Sequence, residues 1–303
     1  MATGLLGIET FPRPDIEQLL ERARNFQPKE SGSYPRLTSC AGKMIVSLFF
    51  ENSTRTRSSF EIAAKRLGAE TLSITASGSS VTKGESLVDT LNTLVAMRPQ
   101  AVVMRHGASG APHFLARHLS IPIVNAGDGT HEHPTQALLD ARTILDNKGA
   151  LEGLRVAIIG DIAHSRVARS NIFLLSKFGV DIVLCGPPSL VPRELSLIAP
   201  GVRLEHDIRK AILGADVIMM LRVQLERIHE PTMDASEYFQ FYGLRLEHLD
   251  LAKPDVIVLH PGPINRGREI SSEVADSQRS MILNQVENGI AVRMAVLERV
   301  LLQ

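Results

Sequence analysis

With 303 residues, the chain is about twice the usual domain size of roughly 150 residues and long enough for two domains, each with its own core. Its 33 lysines and arginines balance 33 aspartates and glutamates, so no net charge exists to draw it onto nucleic acid or an anionic membrane surface. A 44% apolar content excludes a disordered chain, and two cysteines, Cys40 and Cys185, exclude a disulfide framework and a four-thiolate metal site. The first 20 residues lack the basic start and apolar run of a leader, and nowhere do 18 apolar residues occur together. The expectation is a soluble, unprocessed, cytoplasmic protein.

In chain order, the first apolar run, 45–50, is short enough for a buried strand. Phe60, Ala63, Ala64 and Leu67 then repeat at helical spacing, with Gly68 where a left-handed cap would end the helix. Leu87, Leu91, Leu94 and Val95 form a second helical face. Strand-like runs follow at 101–104 and 121–124. The polar stretch 146–153, with two glycines, reads as a seam between two units. Beyond it come runs at 156–159, 182–185, 217–221 and 256–259, with a helical face at Ile208, Ala211 and Ile212. Val286, Ile290, Met294, Leu297 and Leu301 mark a long last helix. Short β-branched runs alternating with helices predict an α/β fold: two domains, each a mostly parallel sheet flanked by helices. Ligands of such folds gather at the carboxyl ends of the strands, so chemistry is sought in the loops that follow them.

The densest of these loops is Glu51-Asn52-Ser53-Thr54-Arg55-Thr56-Arg57, where a strand turns into the start of a helix. Free backbone N–H groups, the positive end of the helix dipole, three hydroxyls and Arg55 together suit a phosphate. The bland reading is that Ser53 caps the helix and the arginines are solvated. A second loop, 126–136, carries His131, His133 and Gln136. The His-x-His pair raises metal ligation as in amidohydrolases, but no second His-rich cluster supplies further ligands, and Pro134 starts a helix directly behind His133. His133 donating to a reacting carbonyl oxygen is preferred, with a capping or core histidine as the alternative.

The run Gly160-Asp161-Ile162-Ala163-His164-Ser165-Arg166 follows the next strand. It lacks the second and third glycines of a dinucleotide fingerprint, so NAD binding is disfavoured. Arg166 there could fork onto a carboxylate or serve as a strand-end salt bridge. Arg222-Val223-Gln224 places a cation and an amide past one strand, and His260-Pro261-Gly262-Pro263 ends another with a rigid loop suited to a cis Gly262–Pro263 bond.

These motifs, with Arg105, stand in the order seen in the aspartate and ornithine carbamoyltransferases, which the chain resembles over most of its length. The resemblance implies a carbamoyl-phosphate domain at 1–134 plus 284–303, with the last helix packing back on it, and an aspartate domain at 135–283. Ser53, Thr54, Arg55, Thr56 and Arg105 would hold the phosphate. Arg55, Thr56 and His133 would surround the carbonyl oxygen, and Gln136 with the Pro261–Gly262 loop would hold the carbamoyl amide. Arg166, Arg222 and Gln224 would bind the aspartate carboxylates. By the same resemblance a neighbouring subunit lends Ser79 and Lys83, making a homotrimer with shared active sites, and Glu51 and Arg227 form ion pairs that hold the closed arrangement.

The His-Pro-Thr-Gln form, the Arg-Val-Gln triplet and the lack of a cysteine-bearing loop favour L-aspartate as acceptor. The implied reaction gives N-carbamoyl-L-aspartate and phosphate in pyrimidine biosynthesis, without metal, cofactor or covalent intermediate. Many members carry leucine where Gly262 stands. The glycine form resembles members whose trimers associate with a dihydroorotase or dihydroorotase-like chain. Transfer to ornithine or another amine, and a non-catalytic anion-binding homologue, are the competing expectations.

Overall fold

The computed structural model describes residues 4–28, 32–75, 86–222 and 233–302. Along the chain run α1 (Arg13–Arg24), β1 (Met44–Phe49), α2 (Thr54–Arg66), β2 (Glu70–Thr75), α3 (Leu87–Ala96), β3 (Ala101–His106), α4 (Ala111–Ala116), β4 (Ile123–Asp128) and α5 (Pro134–Lys148). There follow β5 (Arg155–Ile159), α6 (Arg166–Ser176), β6 (Asp181–Cys185), β7 (Val202–Glu205), α7 (Ile208–Ile212), β8 (Val217–Met220), α8 (Ala235–Tyr242), β9 (Ile257–Leu259), α9 (Ser272–Ala275) and α10 (Ile282–Leu302). The chain forms two compact units, residues 1–142 with 287–303, and residues 143–286.

The first unit holds a four-stranded parallel sheet in the order β2-β1-β3-β4. One face packs Val46, Leu48, Val102, Met104 and Ile123 against Leu91 and Leu94 of α3 and Leu115 of α4. Alternate residues share a face of a strand, so this core follows directly from the two-residue period. Gly68 ends α2 at φ 81, as its position in the sequence predicts, and a Cβ there would meet the Leu37 carbonyl at 3.0 Å. The last helix returns to this unit. Arg22 of α1 donates to Glu298 at 2.6 and 2.9 Å, and Arg299 donates to Asp15 at 2.9 Å, pinning α1 along α10.

The second unit holds a five-stranded parallel sheet in the order β7-β6-β5-β8-β9. Ala157, Ile159, Val183, Cys185, Ile218, Met220 and Val258 face α7 and the tyrosines of α8. The alternate residues Val156, Ile158, Ile182, Leu184, Val217, Met219 and Ile257 are buried as well. With both faces covered, these strands appear in the sequence as unbroken apolar runs. The sequence does not announce β2 or β7. Both are edge strands, largely solvent-facing in pattern, so neither needs such a run. The strand foreseen at 121–124 begins later and continues to Asp128. Both cysteines are buried and free. No described helix is long and apolar enough to cross a membrane.

Candidate functional site

Strand order locates the chemistry. In the first unit β2 lies on one side of β1 and β3 on the other, so the crevice where the winding reverses opens beyond β1 and β3. The loop after β1 is Phe50 to Ser53, and β3 carries Arg105, paired in register with Phe49. In the second unit the reversal lies between β5 and β8. Beyond these two strands stand the 160–166 loop and Arg222.

In the first unit the chain turns into α2 at Ser53, whose side chain makes no capping bond; its hydroxyl donates instead to Thr56 Oγ1 at 3.0 Å. The first turn of α2 contains no acidic residue, which leaves the positive helix end for an outside anion. Thr54 and Arg55 are exposed there and Thr56 is buried. Arg105 lies largely buried, with Nε 3.4 Å from Glu51 Oε2 and Nη1 donating to the Ala126 carbonyl at 3.3 Å. The Glu51 ion pair and the Ala126 carbonyl together hold the guanidinium near the end of β3.

His133 is buried immediately before α5, and its carbonyl accepts from Gln136 and Ala137. Pro134 is the first residue of that helix, where its missing N–H costs nothing. Gln136 Nε2 donates to Asp140 Oδ1 at 2.9 Å one turn on. Beside Asp140 runs Arg293 of α10, buried, donating to Ser59 Oγ at 2.9 Å and to the Gly289 carbonyl at 3.0 Å. Burial pushes its guanidinium down to about 10, with Asp140 pulling it up and Arg105 adding to the fall, so Arg293 keeps its charge at neutral pH.

The turn between β4 and α5 is fixed by Asp128, whose fully buried carboxylate accepts from Gly110 N at 2.6 Å, Asn125 Nδ2 at 2.8 Å and Glu132 N at 3.1 Å. Glu132 in turn accepts from the backbone of Ile8 at 2.8 and 2.9 Å and from that of Glu9 at 3.1 Å. The placement of His133 is therefore built by three distant segments.

In the second unit Arg166 opens α6 behind Ser165, whose hydroxyl accepts from Ala168 N. Asp161 Oδ1 accepts from His164 N at 3.2 Å and lies 2.8 Å from His164 Nδ1, shaping the loop that presents Arg166. Gly160 has φ 139, and a Cβ there would lie 2.9 Å from Leu221 Cβ, the residue before Arg222. The two strand ends thus meet with no room to spare.

The loop after β9 rests on His260 and Glu269, both fully buried, with Nε2 3.1 Å from Oε1. Because His260 Nδ1 accepts from Gly262 N at 2.8 Å, its proton sits on Nε2 and points to Glu269. Glu269 also accepts from Asn265 N at 2.6 Å, and the Gly262–Pro263 bond is cis. Ser79, Lys83, Gln224 and Arg227 lie outside the described residues.

Ser53, Thr54, Arg55, Thr56, Arg105, His133, Gln136 and Glu51 thus belong to the first unit, and Arg166, Arg222, Pro261 and Gly262 to the second. Asp128, Asp140, Arg293 and Glu269 emerge only in three dimensions. Arg293 could have been noticed as a lone cation on the apolar stripe of the last helix, between Ile290 and Met294.

Two parallel-sheet units, each presenting guanidinium groups at its own winding reversal, define a two-part α/β protein built for small anionic ligands. The comparisons narrow that class. Residues 4–146 match the aspartate/ornithine carbamoyltransferase, carbamoyl-P binding domain, and residues 152–300 match the Asp/Orn binding domain. The aspartate carbamoyltransferase catalytic subunit of Solibacter usitatus is 75% identical over 99% of this chain and 100% of its own. A structure of Trypanosoma cruzi aspartate transcarbamoylase with carbamoyl phosphate and aspartate superposes with a TM-score of 0.86, at 32% identity, covering 98% of this chain and 95% of that one. Ornithine carbamoyltransferase of Pyrococcus furiosus gives a TM-score of 0.86 at 29% identity, covering 98% and 96%. The chain belongs to the aspartate/ornithine carbamoyltransferase family.

Proposed function

We propose that the protein transfers the carbamoyl group of carbamoyl phosphate to the amine of L-aspartate, giving N-carbamoyl-L-aspartate and phosphate. The observation that carries this reading is the end of α2, where an acid-free first turn, the Ser53–Thr56 hydroxyl pair, Arg55 and the neighbouring strand's Arg105 offer donors and charge to a phosphate. Thr54 adds a hydroxyl at the same place. The aspartate amine attacks the carbonyl carbon, the bond from that carbon to the phosphate oxygen breaks, and the proton lost by the nitrogen is taken up by the departing phosphate. Negative charge grows on the carbonyl oxygen and on the leaving phosphate, so fixed cations and donors supply the catalysis.

In this reading Arg55, Thr56 and His133 stabilise the oxygen, and Gln136 with the Pro261–Gly262 loop holds the carbamoyl amide. Arg166, Arg222 and Gln224 take the carboxylates of aspartate. Ser79 and Lys83 come from a neighbouring subunit of a homotrimer that works in the cytoplasm in pyrimidine biosynthesis. Gly262 supports an assembly with a dihydroorotase-like chain, to be tested by sedimentation of the two proteins together; an unchanged size would rule it out.

The fold alone does not choose the acceptor, since the ornithine enzyme superposes as well as the aspartate enzyme does. The 75% identical relative, named for aspartate, supports aspartate. Phosphate release from carbamoyl phosphate should depend on L-aspartate, be absent with L-ornithine and fall by at least about a hundredfold in Arg55→Ala. Release that survives the substitution unchanged would remove Arg55 from the site.

A further inference from the structure

Within the first unit, α4 and the loop after β4 bring together a second set of chemistry-bearing side chains. His113 of α4, Asp128 at the end of β4 and His131 in the following loop each offer a ligand atom, and these atoms lie within 4.8 Å of one another. Glu9, His131 and Glu132 meet the same condition, so His131 stands at the junction of two trios. Along the chain alone, His131 and His133 lack further ligands; across the fold, α4 supplies a second imidazole, and it faces His131 rather than His133.

Three features of the cluster point to a cation. First, Nδ1 of His113 is buried and makes no hydrogen bond among the described residues, which leaves a polar atom of the interior in want of a partner. Second, His131 Nδ1 lies 3.0 Å from Asp128 Oδ2. That separation is close to the roughly 3.3 Å between neighbouring ligand atoms of a tetrahedral zinc with bonds near 2.05 Å, so a metal ion could take the place of the proton shared by the pair. Asp128 Oδ2 also accepts from Gly110 N, and the carboxylate is held in position by Asn125 and Glu132. Third, Asp128, Glu132 and Glu9 surround the imidazoles with negative charge, against Arg117 as the cation beside His113.

We propose that His113, Asp128 and His131 form a site for one divalent transition-metal ion of the zinc or cobalt type. Two imidazoles and one carboxylate suit such borderline ions and not magnesium, which prefers an all-oxygen shell. The ion would displace the proton between His131 and Asp128 and tie α4 to the turn that precedes His133. The site is independent of which acceptor the enzyme uses.

The test uses the full chain, stripped with a chelator and titrated with Zn²⁺ alone against a chromophoric competitor. One ion should bind per chain. His113→Asn and His131→Asn should each weaken binding by more than about tenfold, His206→Asn on the other unit should leave it unchanged, and Mg²⁺ should not compete. Cobalt titrated into the unaltered protein should give the d–d absorption of mixed nitrogen and oxygen ligation, a readout that needs no variant to fold. Zinc binding that survives the His113→Asn, His131→Asn double substitution, or the absence of a cobalt band at saturation, would overturn the site.

Discussion

A serine placed before a helix most often bonds the first turn with its own hydroxyl, and Ser53 does not. It turns to Thr56, so the Ser53 hydroxyl does not cap the opening of α2, whose positive end suits an anionic guest. Gln136 shows the opposite economy: its amide is held by Asp140, and Asp140 faces the buried Arg293. Removing the carboxylate in Asp140→Ala should leave a buried guanidinium without its counter-charge and a glutamine without its anchor. Urea unfolding should register a loss of about 3 to 5 kcal/mol, while Asp140→Asn, which keeps an acceptor for Gln136, should retain more activity than the alanine variant. The placement of Ser53, Arg55 and His133 between a strand end and a helix start is legible because that pattern is local in the chain. Asp140, Arg293, Asp128 and Glu269 are not, because each acquires its partner only when segments far apart in the chain are folded together.

At the level of elements, the two crevices obey one rule: the strands that begin each winding reversal, β1 and β5, deliver their loops beside those of β3 and β8. The apolar runs that make these strands readable exist because both sheet faces are covered, whereas β2 and β7 are edge strands that are largely uncovered and need no such run. Gly160 is where element geometry constrains the site most tightly. Gly160→Ala would force a side chain into φ 139 and against Leu221, costing about 1 to 3 kcal/mol in strain and displacing the residue that leads to Arg222. Its KM for the amino-acid substrate should rise more than that for carbamoyl phosphate; equal effects on both would mean that the strain is absorbed elsewhere.

The end of α5 offers a pH test. Lys148 Nζ lies 2.7 Å from Asp255 Oδ2, and this hydrogen bond, ahead of the opposing desolvation, holds the Asp255 carboxyl below its usual range. The ionised form is the one favoured by folding, so its contribution is present above the ordinary carboxylate pKa and is lost as pH falls through the depressed value. Melting temperature followed from pH 6 down to the acid limit should therefore fall less steeply in Lys148→Met than in the unaltered chain. Because Asp255 is mostly exposed, the difference should shrink in high salt.

Zero net charge describes the whole chain, yet each unit gathers guanidinium groups at its crevice: Arg55 and Arg105 in one, Arg166 and Arg222 in the other. A whole-molecule sum erases such local excess, which is why composition excludes a polyanionic partner but says nothing about small anions. The subunit-sharing proposal belongs to this scale, since Lys83 would act in a neighbour's site. In a closed ring of three chains, every site would draw Arg55 from one chain and Lys83 from the next. Arg55→Ala and Lys83→Ala homotrimers would each have three defective sites. Any trimer containing both chain types would place one intact Arg55 next to one intact Lys83 and restore a single site of three. Random assembly from equal amounts makes about three quarters of the trimers mixed, so the mixture should recover about a quarter of the unaltered activity. Denaturing the two inactive proteins together, refolding them and measuring phosphate release would decide the matter: recovery near that level requires sharing, whereas activity no higher than either parent would place Lys83 and Arg55 in the same chain's site.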